Sequence, residues 1–178
     1  MVRRALPHPH VKSDTVGRAG RRPCTPRALL ADPRPVRRFA FAASVTSHLK
    51  LGTGIALVAQ RDPIWTAKEV ASLDHLSGGR VIFGVGYGWN REEMAQHGTP
   101  YAQRRLLMRD KIMMMKALWT QDEASYNGDL LTLEPSWAWP KPAQKPHPPI
   151  VMGAAPGSRT LADMAGVLRW VDPTRQPT

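Results

Sequence analysis

Leu49-Lys-Leu-Gly-Thr-Gly-Ile55 and Arg80-Val-Ile-Phe-Gly-Val-Gly-Tyr-Gly-Trp-Asn90 are two short apolar runs, each ending in glycines. An amphipathic stretch lies between them, so the pair reads as one strand–helix–strand unit of a parallel α/β protein. The glycines fall where the strands should end at their carboxyl edge. In barrel enzymes of this class that edge binds ligands, so any chemistry is expected there.

Working outward, residues 49–57 are expected as a strand, apolar on both faces as buried parallel strands are. Asp62-Pro63 marks a helix start: a side-chain oxygen to cap free amides, then proline at the first helical position. On that helix Ile64, Ala67, Val70 and Ala71 share one face. Asp74 lies on the same side and is read as a satisfied helix-end carboxylate rather than a catalyst. Ser77-Gly78-Gly79 stops the helix, and residues 80–85 form the next strand. Glu92 begins a short helix. After the break at Gly98-Thr-Pro100 a longer helix is expected over 101–119, its buried face carrying Met108, Ile112, Met115 and Trp119. Met113-Met-Met115 is read as core packing. Residues 124–133 carry a hairpin signal centred on Asn127-Gly128. The proline-rich 140–149 segment leads into a short third strand, Ile150-Val-Met-Gly153, and Gly153-Ala-Ala-Pro-Gly-Ser158 opens a helix from Arg159.

The chain has 178 residues, of which 42% are hydrophobic, enough for one ordinary domain. A complete eight-unit barrel typically needs about 250 residues. Cys24 is the single cysteine, which excludes a disulfide framework and a cysteine-based zinc site and makes a reducing, cytoplasmic setting the expectation. No apolar run approaches the roughly 18 residues of a membrane span. The net charge of +11 invites a nucleic-acid reading, but residues 1–47 alone hold +8 of it. No aromatic residue is interleaved among those arginines before Phe39, so nucleic acid is not the expected partner. The Arg/Pro-rich segment 1–41 is expected to lack regular structure. A folded domain is expected over 42–166, followed by a tail, 167–178.

Gly84-Val-Gly-Tyr-Gly88 is neither a dinucleotide fingerprint nor a P-loop. A tight strand-to-helix turn explains it, and so does a close approach of backbone amides to a ring or a phosphate. The amides of Gly153-Ala-Ala-Pro-Gly, at a helix start, have the same double reading. His48, His75, His97 and His147 make no metal spacing, and no nucleophile–base–acid set can be assigned. Glu92-Glu93 has two readings, a general acid pair and, favoured at the first turn of a helix, an answer to the helix dipole. No catalytic residue and no metal site is named.

Four motifs in order, Leu51-Gly-Thr-Gly-Ile-Ala-Leu-Val-Ala-Gln-Arg-Asp-Pro63, Leu73-Asp-His-Leu-Ser-Gly-Gly-Arg80, Gly84-Val-Gly-Tyr-Gly-Trp-Asn-Arg-Glu-Glu93 and Lys141-Pro with His147-Pro-Pro-Ile150, resemble the bacterial luciferase-like family. Within it, the chain looks most like the branch of oxidoreductases that use the deazaflavin coenzyme F420. The resemblance covers about residues 42–165 and implies a partial TIM (β/α)8 barrel comprising strands 3, 4 and 5 with their helices and the family's inserted segment. It implies a cis peptide at Gly54–Ile55 behind the cofactor ring, contact from the turn Gly86-Tyr87-Gly88-Trp89, and contact with the cofactor tail from Gly153-Ala154-Ala155. It implies coenzyme F420 with hydride transfer, or FMN with oxygen activation, acting on a small-molecule substrate. Some sugar-phosphate dehydrogenases of the family place a catalytic glutamate where Trp89 stands. Tryptophan delivers no proton, which counts against that substrate class.

Strands 1, 2 and 6–8 have no counterpart in this reading. Arg/Pro-rich text is what GC-rich DNA gives in a wrong frame, so both ends are expected to be out of frame around a genuine barrel core. A three-strand arc cannot close. The chain is therefore expected to bind its cofactor weakly or not at all and to associate through open sheet edges. The alternatives are a non-catalytic remnant of such an enzyme and nucleic-acid binding through the basic N-terminus.

Overall fold

The first strand stops two residues after it starts, and the reason for that shapes the site. In the computed structural model residues 35–153 and residue 162 are described, all within a unit spanning Pro33–Thr178. The order is α1 (Pro35–Val45), β1 (Leu51–Gly52), a 3₁₀ turn (Val58–Gln60), α2 (Pro63–Leu76), β2 (Val81–Val85), α3 (Arg91–Gln96), a second 3₁₀ turn (Tyr101–Gln103), α4 (Arg104–Thr120), β3 (Ala124–Asn127), β4 (Thr132–Ser136) and β5 (Ile150–Met152). Strands β1, β2 and β5 form a parallel sheet in that spatial order, and β3–β4 is a separate antiparallel pair. This is the expected partial barrel: neighbouring parallel strands with helices between them.

The strand expected over 49–57 is interrupted. Leu51 and Gly52 pair with Val81 and Ile82 at an offset of 30 positions. Pairing resumes at Ala56 with Val85, an offset of 29. One extra residue is therefore accommodated between Gly52 and Ala56, a β-bulge in a parallel pair. The hydrogen bonds agree: Thr53 N–H donates to Ile82 O at 3.2 Å, and the next ladder donor to β2 is Ala56 N–H, to Gly84 O at 2.8 Å. Thr53 Oγ1 also donates to Gly84 O, at 2.7 Å. Nor are both faces of the sheet buried. Leu51, Val81, Phe83, Val85 and Ile150 are buried, whereas Gly52 and Val151 are exposed and Ile82 is half-buried.

The buried side is filled by α2 and α4. Asp62 caps α2, its carboxylate accepting from Trp65 N–H at 2.7 Å, and Pro63 follows at the first position as expected. Ala67, Val70 and Ala71 are buried, but Ile64 is 50% exposed. Ile64 sits on the first turn of α2. On α4, Met108, Ile112, Met115 and Trp119 are all buried, and Met114 joins them. Trp119 packs edge-on against Phe83 at 6.2 Å and donates its indole N–H to Ala67 O at 2.9 Å, joining sheet, α4 and α2.

Buried Asp74 accepts from Gln144 N–H at 2.9 Å and Gln144 Nε2 at 2.7 Å, so the end of α2 holds the segment that leads into β5. This is the satisfied carboxylate expected. The left-handed Gly78 and Gly79 (φ 68° and 81°) end α2.

Three further expectations need correction. Residues 35–41, read as lacking regular structure, belong to α1. Val36, Phe39, Ala42 and Ala43 recur at helical spacing and pack on the core, a signal hidden by the arginines between them. Arg80 closes that helix: its guanidinium donates to Ala43 O, Thr46 Oγ1 and Leu49 O. The hairpin turn is longer than one centred on Asn127-Gly128, because Asn127 still pairs with Thr132. Buried Asp110 fixes this longer loop by accepting from Leu130 N–H at 2.6 Å and Tyr126 O–H at 3.0 Å. Burial first, then that carboxylate, pushes the Tyr126 hydroxyl up to about 12. Finally, α4 begins as an α-helix at Arg104, behind a 3₁₀ turn. The helix expected from Arg159 and the segments 1–34 and 167–178 lie outside the described residues.

Candidate functional site

The bulge brings Ile55 across the neighbouring strand ends. A methyl group added to Gly86 would lie 1.9 Å from Ile55 Cδ1, and one added to Gly153 would lie 2.7 Å from Ile55 Cγ2. The ends of β1, β2 and β5 thus meet under one isoleucine side chain. Gly86 N–H donates to Ala56 O at 3.1 Å and Gly153 N–H to Val85 O at 2.9 Å, so the three tips are also tied by backbone. Ile55 keeps 38% of its surface exposed, and nothing lies within 4 Å of a methyl placed on Gly54. The Gly54–Ile55 bond is cis, as the family resemblance implies.

Glycine at position 84 has a different reason. A Cβ there would sit 1.9 Å from Thr53 O, a backbone atom of the bulge. Gly88 is left-handed, φ 78°, with Met94, Gln60 and Leu57 closing around it. It turns the chain out of β2 toward α3, which Asn90 caps by accepting from Glu93 N–H at 3.1 Å.

The structure therefore brings together Gly54, Ile55, Gly86 and Gly153, with Tyr87 and Gly88 adjoining. Trp89 is 80% exposed and stands at the rim. Ala154 and Ala155 lie outside the described residues. An exposed aliphatic face set over glycines, with open space at Gly54, fits a flat apolar ring in contact with backbone. Among the described residues no group of three histidine, cysteine or carboxylate side chains could hold a metal. His48, His75 and His97 are exposed, while His147 Nδ1 lies 2.8 Å from Pro148 O and its ring leans on Trp119. No helix among them is long and apolar enough to cross a membrane.

Sequence reading passed over several residues here. Thr53 stood inside the quoted Gly-Thr-Gly and could have been found from it. Lys111 gave no signal: its ammonium donates to Ala59 O at 2.8 Å and Arg61 O at 2.7 Å, holding the turn after the bulge. Burial lowers its pKa, with Asp62 opposing. Arg105 lies over the Tyr87 ring at 4.6 Å, and only the fold makes these two neighbours.

A family model for luciferase-like monooxygenases matches residues 22–170. The match begins well before the boundary expected at 42 and takes in α1. An uncharacterized protein of Mycobacterium tuberculosis is 46% identical over 154 residues, which is 83% of this chain and 53% of that protein. An FMNH(2)-dependent dimethylsulfone monooxygenase of Pseudomonas putida is 34% identical over 68% of this chain and 34% of its own length. An F420-dependent glucose-6-phosphate dehydrogenase of Amycolatopsis mediterranei is 30% identical, over 70% and 37%. Among solved structures, the monooxygenase RslO1 of Streptomyces bottropensis superposes with a TM-score of 0.64 at 28% identity, covering 67% of this chain and 36% of RslO1. The chain spans between about a third and about a half of the length of these relatives.

Proposed function

Since the chain belongs to the luciferase-like monooxygenase family, we propose that it carries the ring-binding part of a flavin- or deazaflavin-dependent oxidoreductase. Coenzyme F420 is the cofactor we favour, with FMN the alternative; relatives named for each are similar to this chain. One observation carries the reading: Ile55 lies over Gly86 and Gly153 at the meeting of three strand ends. The bound cofactor would supply hydride transfer or, as reduced FMN, oxygen activation.

The protein's part is support and exclusion. Ile55 gives an apolar surface for one ring face, and Gly54, Gly86 and Gly153 keep side chains out of its plane. Tyr87, Gly88 and Trp89 form the flank on the α3 side, and Ala154 and Ala155 are proposed to continue the cradle toward the cofactor tail. No side chain is assigned to move a proton, and the substrate is a small molecule of unassigned class.

Titrating the full chain with F420 and with FMN, read by fluorescence, tests this. We expect saturable but weak binding, weaker than about 10 μM or roughly −7 kcal/mol, because the three parallel strands of the described residues do not enclose a ring. Replacing Ile55 by Asp should abolish it while leaving the far-ultraviolet spectrum unchanged. Equal binding of wild type and I55D would overturn the cradle, and absence of binding to both cofactors would leave only a remnant fold.

A further inference from the structure

The chain leaving β4 carries two tryptophans that neither the core nor the cradle uses. Trp137 is 79% exposed and Trp139 is 61% exposed, while Ala138 between them packs on the core. That is the alternation of extended chain, and it turns both indoles outward. A single exposed tryptophan is ordinary, but two on one side of a three-residue stretch make an aromatic patch.

The hairpin beside the patch is acidic. Residues 121–136 hold Asp122, Glu123, Asp129 and Glu134, all exposed, and no lysine or arginine. The antiparallel register pairs Ala124 with Ser136, so the next position along sets Glu123 opposite Trp137. Among the described residues no lysine or arginine pairs with Glu123, and no cation lies over Trp137. Trp139 shows what such a ring takes, since the Lys141 ammonium stands over it at 5.3 Å. That ammonium is held at the end of α4 by Leu118 O at 2.9 Å and Gln121 O at 2.5 Å. Asp122 and Lys145 both act on it, in opposite senses.

Among the described residues β4 is paired on one side only, by β3. Strand addition to its other edge is disfavoured, because Pro135 has no N–H and the ladder is irregular between Ala124 and Tyr126. The patch therefore offers ring faces and a carboxylate rather than a backbone ladder. A guanidinium answers both at once, lying flat on an indole while its edge forks to a carboxylate. Residues two apart in extended chain are separated by about 6.6 Å, so alternate side chains of an extended peptide match the two rings.

We propose that Trp137, Trp139 and Glu123 bind an extended, arginine-bearing segment of a partner protein. The charge opposite Trp137 selects a cation, and the paired planar rings select arginine over lysine. The inference does not depend on cofactor binding.

Fluorescence anisotropy with the full chain tests it, the probe being a labelled pentapeptide with arginine at its second and fourth positions. Wild type should bind with a dissociation constant on the order of 100 μM, about threefold more tightly than the lysine version, and the glutamate version should not bind. W137A/W139A should weaken binding about tenfold or more, and E123Q about fivefold. All three side chains are exposed, so both variants should keep the wild-type thermal midpoint. W137F/W139F, which keeps two ring faces, should recover most of the affinity. Equal binding of the three peptides, or binding unchanged in W137A/W139A, would overturn the proposal. Absence of arginine-peptide binding to wild type would overturn it as well. If self-association then falls in W137A/W139A, a second copy covers the face. If wild type instead binds phosphatidylcholine vesicles and W137A/W139A does not, the face belongs to a membrane surface.

Discussion

Gly84 and Gly86 stand two residues apart on one strand and look alike in sequence, yet they should respond differently to the same change. A Cβ at position 84 meets Thr53 O at 1.9 Å, and that carbonyl is fixed in the bulge by the ladder on either side. G84A should therefore destabilise the fold by about 3 kcal/mol, read as a lower urea midpoint. At position 86 the collision, also at 1.9 Å, is with Ile55 Cδ1, the free end of a side chain that can turn away. G86A should cost no more than about 1 kcal/mol in stability. It should nevertheless lower F420 or FMN affinity about tenfold, because the rotated Ile55 no longer presents its flat face. Equal urea midpoints for the two variants would mean that the bulge is not rigid.

Among the elements, the end of α2 does more than terminate a helix. Asp74 holds three donors: Gln144 N–H, Gln144 Nε2 and, at 3.4 Å, Val81 N–H. Gln144 Nε2 donates in turn to Val81 O at 2.8 Å. The carboxylate thus sets the start of β2 against the segment that delivers β5, and so sets the register that places Gly153 beside Gly86. D74A leaves these donors without an acceptor and should cost about 2–4 kcal/mol, measured by denaturant unfolding. Cofactor affinity should fall with it even at denaturant-free equilibrium, since the tips of β2 and β5 lose their common anchor. A variant with full stability would show that Gln144 finds another partner.

For the molecule as a whole, the described sheet pairs β1 and β5 on one side only, with β2 between them. Val151 on β5 is 37% exposed. We propose that copies of the chain associate through these edges, because unpaired strand groups with apolar side chains recruit other strands. Sedimentation velocity should show a mass that rises with protein concentration. V151K, a charge on the open edge, should shift the distribution toward monomer without changing the thermal midpoint. A wild-type monomer at all concentrations would remove the proposal.

The amino-acid order determined the strand–helix–strand unit, the helix cap at Asp62, the buried face of α4 and the family. Each of these is written in local periodicity or in a motif of a few residues. It did not show α1 among the arginines, because four apolar residues at helical spacing are a faint signal inside a charged segment. Nor did it show which glycine is needed for which reason. Tertiary structure decided that: the one-residue bulge between Gly52 and Ala56 carries Ile55 over Gly86 and Gly153, residues 31 and 98 positions further along the chain. It also laid Arg105 over Tyr87. Register and side-chain stacking between distant segments depend on how whole elements pack, and no local pattern encodes them.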